Sequence, residues 1–217
     1  MKLSENTLSV LKNFASINSG LILHEGNKQK TICPQKAILV EATIEDDFPG
    51  EIGIYDLNRF LGNVSALKNP DLEFGDNRVT MSNDDIELTY FGCQPNLIIS
   101  PPEKELALKS VDVKFSLSNA AFQQLLKLAA MNSLSNLTVV GEDGELLLKV
   151  HDKSVDTSNY ATFNIGVYTG TDFTATFKTD NLKLLPDDYD VEIQFDAFAK
   201  FVNKTNTLKY FIALEKK

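Results

Sequence analysis

The sequence predicts an α+β protein built from two similar domains, and three observations predict it. A helix–strands–helix–strands order occurs twice along the 217 residues. Two fragments of one kind, Asp56-Leu57-Asn58-Arg59-Phe60-Leu61 and Asp180-Asn181-Leu182-Lys183-Leu184-Leu185, stand 124 residues apart. A proline-bearing stretch separates the two copies. Each copy has the size of an ordinary small domain.

In the first copy, Ser4 reads as the N-cap of a helix with Leu8, Leu11, Phe14 and Ala15 on one side, and Gly20 falls just past its end. Strand-like runs follow at 21–24 and 37–44. Leu57, Phe60, Leu61 and Val64 then recur at i, i+3, i+4, i+7, which predicts a helix over 56–67, capped by Asp56 and ended by Asn69-Pro70. Short strands at 71–74, 78–82 and 86–91 are punctuated by Gly75-Asp76-Asn77 and Asn83-Asp84.

Residues 94–109 place Pro95, Pro101 and Pro102 around Leu97-Ile98-Ile99. Proline fixes φ and removes a donor, so this is an extended connector and not a central strand. The second copy runs through a strand at 111–115, a helix over 118–131 with Phe122, Leu125, Leu126 and Ala129, and a hairpin of 137–140 and 145–150 turned by Asp143-Gly144. Strands at 160–168 and 173–177, a short helix at 179–185 ending at Pro186, and strands at 189–195 and 208–214 complete it. The domains are therefore set at 1–93 and 110–217, with 94–109 as the connector.

A net charge of −9 argues against nucleic-acid binding, which ordinarily needs a basic footprint. Cys33 and Cys93 form neither a CxxC pair nor a metal cluster and read as reduced structural thiols. The N-terminus lacks the apolar run of a signal peptide, and no stretch approaches the ~18 apolar residues of a membrane span. The expectation is a soluble intracellular protein.

No phosphate-binding loop, GxGxxG, GxSxG or HExxH is present, so no enzyme, cofactor or metal is expected. His24 and His151 lack metal-ligand spacing and read as strand-face residues. The runs Glu45-Asp46-Asp47 and Asn83-Asp84-Asp85 read as solvated loop charge.

What remains is one base on each predicted helix: Lys12, Arg59, Lys127 and Lys183. If the helices line one concave face, those bases meet phosphate together without reading bases, while the acids lie elsewhere.

Several stretches then closely resemble the sliding clamps of T4-like bacteriophages. They are Met1-Lys2-Leu3-Ser4, Leu11-Lys12-Asn13-Phe14-Ala15, Ile17-Asn18-Ser19-Gly20, Ile54-Tyr55-Asp56-Leu57-Asn58 with Phe60-Leu61-Gly62, and Asn181-Leu182-Lys183 with Pro186 and Tyr189. The run from Leu208 to Leu214 is similar to the last strand of the wider clamp superfamily.

The resemblance implies a homotrimeric ring of head-to-tail subunits around double-stranded DNA, its helices on the inner face of a sheet-backed wall. It implies no catalytic site. Its implied partners are the replicative polymerase, an ATP-driven clamp loader and late-transcription factors, in the cytoplasm of an infected bacterial host, with no membrane. Partner peptides would enter an apolar pocket between the domains, at Leu97, Ile98, Ile99, Leu106, Phe211 and Ala213. Two departures stand out. Ala130 sits where the family can carry a second base, so the pore either holds DNA more weakly or uses Lys68 or Lys178 instead, and 196–207 differs from the T4 pattern. The competing reading is a duplicated α+β interaction or virion protein that binds no DNA.

Overall fold

The computed structural model describes residues 1–155 and 157–216; Asp156 and Lys217, the last residue of the second predicted domain, lie outside the described residues. The chain forms two compact units, one from Met1 to Glu105 and one from Leu106 on.

In the first unit, α1 (Glu5–Ile17) starts where the Ser4 hydroxyl accepts the Thr7 N–H at 3.1 Å. Its buried side is Thr7, Val10, Leu11, Phe14 and Ile17. The expected stripe is therefore rotated, and Leu8 and Ala15 are only half-buried. Thr7 misled the pattern. It is polar, yet its hydroxyl lies 3.1 Å from the Ser4 hydroxyl, so it can be buried without an unpaired group. Each large apolar side chain fully buried here stabilises by about 1.5–3 kcal/mol.

β1 (Leu21–Leu23) pairs antiparallel with β4 (Ile52–Ile54), and β2 (Gly26–Ile32) with β3 (Ile38–Phe48). β3 runs past the expected end at 44, so Glu45-Asp46-Asp47 lies on a strand and not on a loop. Phe48, 1% exposed, anchors the extension, and the Asp46 carboxylate accepts the Ser4 N–H at 2.7 Å. α2 (Leu57–Ala66) buries the predicted Leu57, Phe60, Leu61 and Val64, and lies against α1. It ends in Lys68 and Asn69, both in the left-handed region. β5 (Asp71–Gly75), β6 (Arg78–Ser82) and β7 (Glu87–Phe91) form an antiparallel meander. Beyond it, Pro95–Leu97 makes one 3₁₀ turn, and the buried Asn18 amide donates to the carbonyls of Ile32 and Ile99 at 2.9 Å each.

In the second unit, β8 (Val113–Leu117) starts two residues later than expected. α3 (Asn119–Met131) is capped by Ser118 and buries Ala121, Phe122, Leu125 and Ala129, while Leu126 is half-buried. β9 (Asn136–Glu142) and β10 (Glu145–His151) turn at Asp143 and Gly144, with φ of 50° and 81°, the twist that suits a two-residue hairpin. With β11 (Ala161–Val167) and β12 (Phe173–Lys178) they form a sheet in the order β11-β10-β9-β12.

The helix expected at 179–185 does not form. Only Thr179–Asn181 makes a 3₁₀ turn, and the chain then runs on with Leu182 and Leu184 buried on either side of an exposed Lys183. Pro186 pushes Leu185 away from helical geometry, and seven residues are too few to nucleate a helix against that constraint. The backbone of Leu185 is instead claimed by two buried tyrosines: its N–H donates to Tyr210 Oη at 3.1 Å, and its carbonyl accepts Tyr189 Oη at 2.7 Å. β13 (Tyr189–Ile193), β14 (Phe198–Asn203) and β15 (Leu208–Ala213) complete the unit, ordered β15-β14-β13-β8. β2, β4 and β14 were not anticipated.

Candidate functional site

Three of the four helix bases stand on helices. Lys12 is exposed on α1, Arg59 on α2 and Lys127 on α3. Lys183 is exposed but lies on the extended segment after the 3₁₀ turn, so the pattern of one base per helix holds for three helices among the described residues. Lys12 and Lys127 form no ion pair among the described residues, whereas Arg59 Nε sits 3.5 Å from the Asp56 carboxylate. Of the two substitutes, Lys68 is exposed at the end of α2, while Lys178 is paired with Glu215 at 3.6 Å.

The charge is segregated. α1, α2 and α3 together carry three bases and one acid, Glu5, leaving eighteen bases and twenty-nine acids for the rest of the chain. The other exposed positions of α2 and α3 are uncharged: Asn58, Gly62, Ser65 and Ala66 on α2, and Ala120, Gln123, Gln124, Ala130 and Met131 on α3. Apart from the three bases, such faces attract phosphate only weakly.

The expected peptide-contact residues divide by burial. Leu97, Ile99 and Leu106 are exposed at 62%, 48% and 36%. Ile98 is buried and packs on Gly20, where an added Cβ would stand 3.3 Å from its side chain. Phe211 is also buried, edge-on to Phe198 at 6.0 Å, and Ala213 is half-buried opposite Phe198 in the sheet. Sequence reasoning missed a cavity of about 400 Å³ in the second unit, lined by Phe173, Phe195 and Leu214 beside β12. Its rim is charged. Glu215 hydrogen-bonds Asn136 and pairs with Lys153 and Lys178; burial works to raise its pKa, and these cations hold it below the usual carboxylate range. The spacing of these residues carries no sequence signal.

Two strands lie at sheet edges with apolar side chains outward. β11 and the residue before it expose Tyr160, Phe163 and Val167, at 66%, 41% and 83%. β7, at the edge of its meander, exposes Phe91 at 73%. Unpaired edges of this kind are templates for another chain.

The Cys93 thiol is pushed up by burial and is a poor nucleophile. His24 lies just past β1, bonded to Glu51 at 3.0 Å, and His151 ends β10, bonded to Thr138 at 2.8 Å. Among the described residues no group of three or more His, Cys, Asp or Glu could hold a metal, and no helix is long and apolar enough to cross a membrane.

The family described as DNA polymerase processivity factor matches residues 2–89. The chain is 32% identical to a sliding clamp of Vibrio phage KVP40, over 99% of both chains. It is 28% identical to a sliding clamp of Escherichia phage RB69, covering 99% of this chain and 97% of that one. Among solved structures, PCNA from A. fulgidus bound to the C-terminal region of FEN-1 superposes with a TM-score of 0.72 at 14% identity, covering 97% of this chain and 95% of that one. The chain belongs to the sliding clamps of T4-like bacteriophages, which are DNA polymerase processivity factors.

Proposed function

We propose that three copies of this chain close head to tail into a ring around duplex DNA and tether the replicative polymerase by topology, with no chemical step of their own. The observation that carries this is the charge segregation: three bases against one acid on the helices of a chain whose net charge is −9. Lys12, Arg59 and Lys127 face phosphate, with Lys183 as a further contact from a non-helical segment. The acids elsewhere repel DNA from the outer surface. The exposed edges β7 and β11 supply the contact between copies, a heterologous pairing that a three-fold rotation closes. An ATP-driven loader opens the ring, and the protein works in the cytoplasm of the infected host.

Partner tails dock on apolar side chains left open to solvent. Leu97, Ile99 and Leu106 offer such contacts, and the cavity beside β12 near Ala213 offers an edge strand to pair with. Ile98 and Phe211, both buried, would serve such docking only by holding the exposed residues beside them in place. The A. fulgidus clamp holding a C-terminal region of its partner is consistent with tail docking. Late-transcription factors would use the same surface.

Light scattering tests the ring: the mass should lie near three times 24.1 kDa. The functional test is stimulation of the cognate polymerase, with its loader, on circular DNA against open-ended linear DNA. Equal retention on both, or a stable monomer at high concentration, would overturn the proposal.

A further inference from the structure

α2 differs from the other two helices in one respect. Its only base is held by an acid at its own start. The Asp56 carboxylate accepts the Arg59 N–H at 2.9 Å as the helix cap, and its second oxygen lies 3.5 Å from Arg59 Nε. The carboxylate is fixed in place by the fold. Its residue's carbonyl accepts both the Phe60 N–H at 3.1 Å and Tyr90 Oη at 3.2 Å, and Phe60 and Tyr90 pack edge to face at 5.3 Å. The guanidinium is not fixed, because the Arg59 side chain is 74% exposed. One partner is anchored and the other is free to leave.

We propose that Asp56 is a positioning residue that competes with DNA phosphate for Arg59 and so limits how firmly α2 grips the duplex. This rests on the proposed ring, in which α2 faces DNA. A phosphate that captures Arg59 must displace a carboxylate already in reach. Lys12 and Lys127 have no such competitor among the described residues, so they carry the resting attraction and Arg59 adds a contact attenuated by its neighbour. Partial self-neutralisation suits a protein retained by closure, since each phosphate contact adds affinity and salt dependence that closure does not need.

Asp56→Asn tests this, because asparagine caps a helix about as well as aspartate but carries no charge. Binding of a short fluorescein-labelled duplex would be measured by anisotropy across a salt series for the wild type, Asp56→Asn, Arg59→Ala, the double variant, Lys12→Ala and Lys127→Ala. Asp56→Asn should bind about two- to five-fold more tightly for each guanidinium released. Its salt slope should steepen by about 0.9 for each phosphate gained. In the Arg59→Ala background the same change should do nothing. If Asp56→Asn melts early, Asp56→Ser keeps the cap and repeats the test.

An unchanged Asp56→Asn beside a weakened Arg59→Ala would overturn the proposal while leaving the ring intact. A tightening that persists without Arg59 would also overturn it, as general charge removal. If Arg59→Ala, Lys12→Ala and Lys127→Ala all bind as the wild type does, the helices do not meet DNA, and the ring reading fails together with the proposal.

Discussion

Reversing Lys127 to Glu strikes the charge segregation at its most open point. Lys127 is exposed on α3, and no acid pairs with it among the described residues. The change leaves two bases against two acids on the three helices, so the helical faces become neutral. At about 4 Å in water an attraction of roughly 1 kcal/mol is lost and a repulsion of similar size is gained. Screening at physiological salt trims the sum to about 1–2 kcal/mol, roughly five- to thirty-fold per contact. With three copies in the ring, the salt slope of DNA binding should flatten by up to about 2.7. Folding should be little affected, because a surface change away from caps and core is worth about 0.5 kcal/mol or less. The assay is processive synthesis on a primed circle with polymerase and loader, with Lys28→Glu, exposed on β2, as the matched control. Synthesis by Lys127→Glu equal to the wild type across the salt range, with the trimer intact, would refute phosphate contact by α3.

Three further expectations concern assembly, core and pH. Phe163→Asp or Val167→Asp, on the exposed edge strand β11, should drop the light-scattering mass toward 24.1 kDa with circular dichroism unchanged; a persistent trimer would place the contact elsewhere. Phe60→Ala removes a ring that is 0% exposed and stacked edge-on to Tyr90, and should lower the unfolding free energy by about 3–5 kcal/mol in denaturant titration, where a loss under about 1 kcal/mol would contradict the packing. Asp46 is partly buried, which works to raise its pKa, but hydrogen bonds from Ser4 and Thr7 outweigh this and hold it below 3.8. Its stabilisation is therefore full above 3.8 and lost as pH falls through the lower folded value. The stability gap between the wild type and Asp46→Asn should close in acid, and a gap independent of pH would count against the charged role.

Local chemistry in this chain was legible wherever one residue type decides the outcome. Ser4, Asp56 and Ser118 cap helices as their side chains require, and Asp143-Gly144 turns a hairpin because both residues tolerate positive φ. The α2 stripe was read correctly because all four inward residues are apolar. The readings failed where tertiary partners decide. Leu182 to Leu185 carries helix-forming leucines, yet Tyr189 and Tyr210 take the backbone hydrogen bonds of Leu185, and Tyr210 comes from a strand well beyond the local pattern.

β2 was hidden because its inward residues include Gln29 and Thr31. Gln29 is buried only because its amide bonds the carbonyls of His24 and Gly26. β14 was hidden because its inward positions are Ala199, Phe201 and Asn203, and buried Asn203 is satisfied by Asp187, Thr205 and Thr207. At the candidate site, exposure of the helix bases followed from periodicity. The capture of Lys178 by Glu215, across many residues of chain, did not.

The negative net charge and the DNA-facing role are opposing demands only if charge is treated as a property of the whole chain. A protein that makes six to ten simultaneous phosphate contacts loses about three to five orders of magnitude in affinity over a modest rise in salt, and is held in place at low salt. A clamp must avoid both extremes, because its retention comes from closure and not from contact. On the proposed ring, three helix bases per chain give nine in all, one of every three already engaged by Asp56, and a duplex resting against one part of the wall meets only some of them. The remaining exposed positions of α2 and α3 are uncharged and add little attraction. Asp56 apart, acids elsewhere cost the helices little at distances beyond a Debye length of about 8 Å. They keep the outer faces from competing for DNA, so the weak inner attraction is the one that guides the duplex.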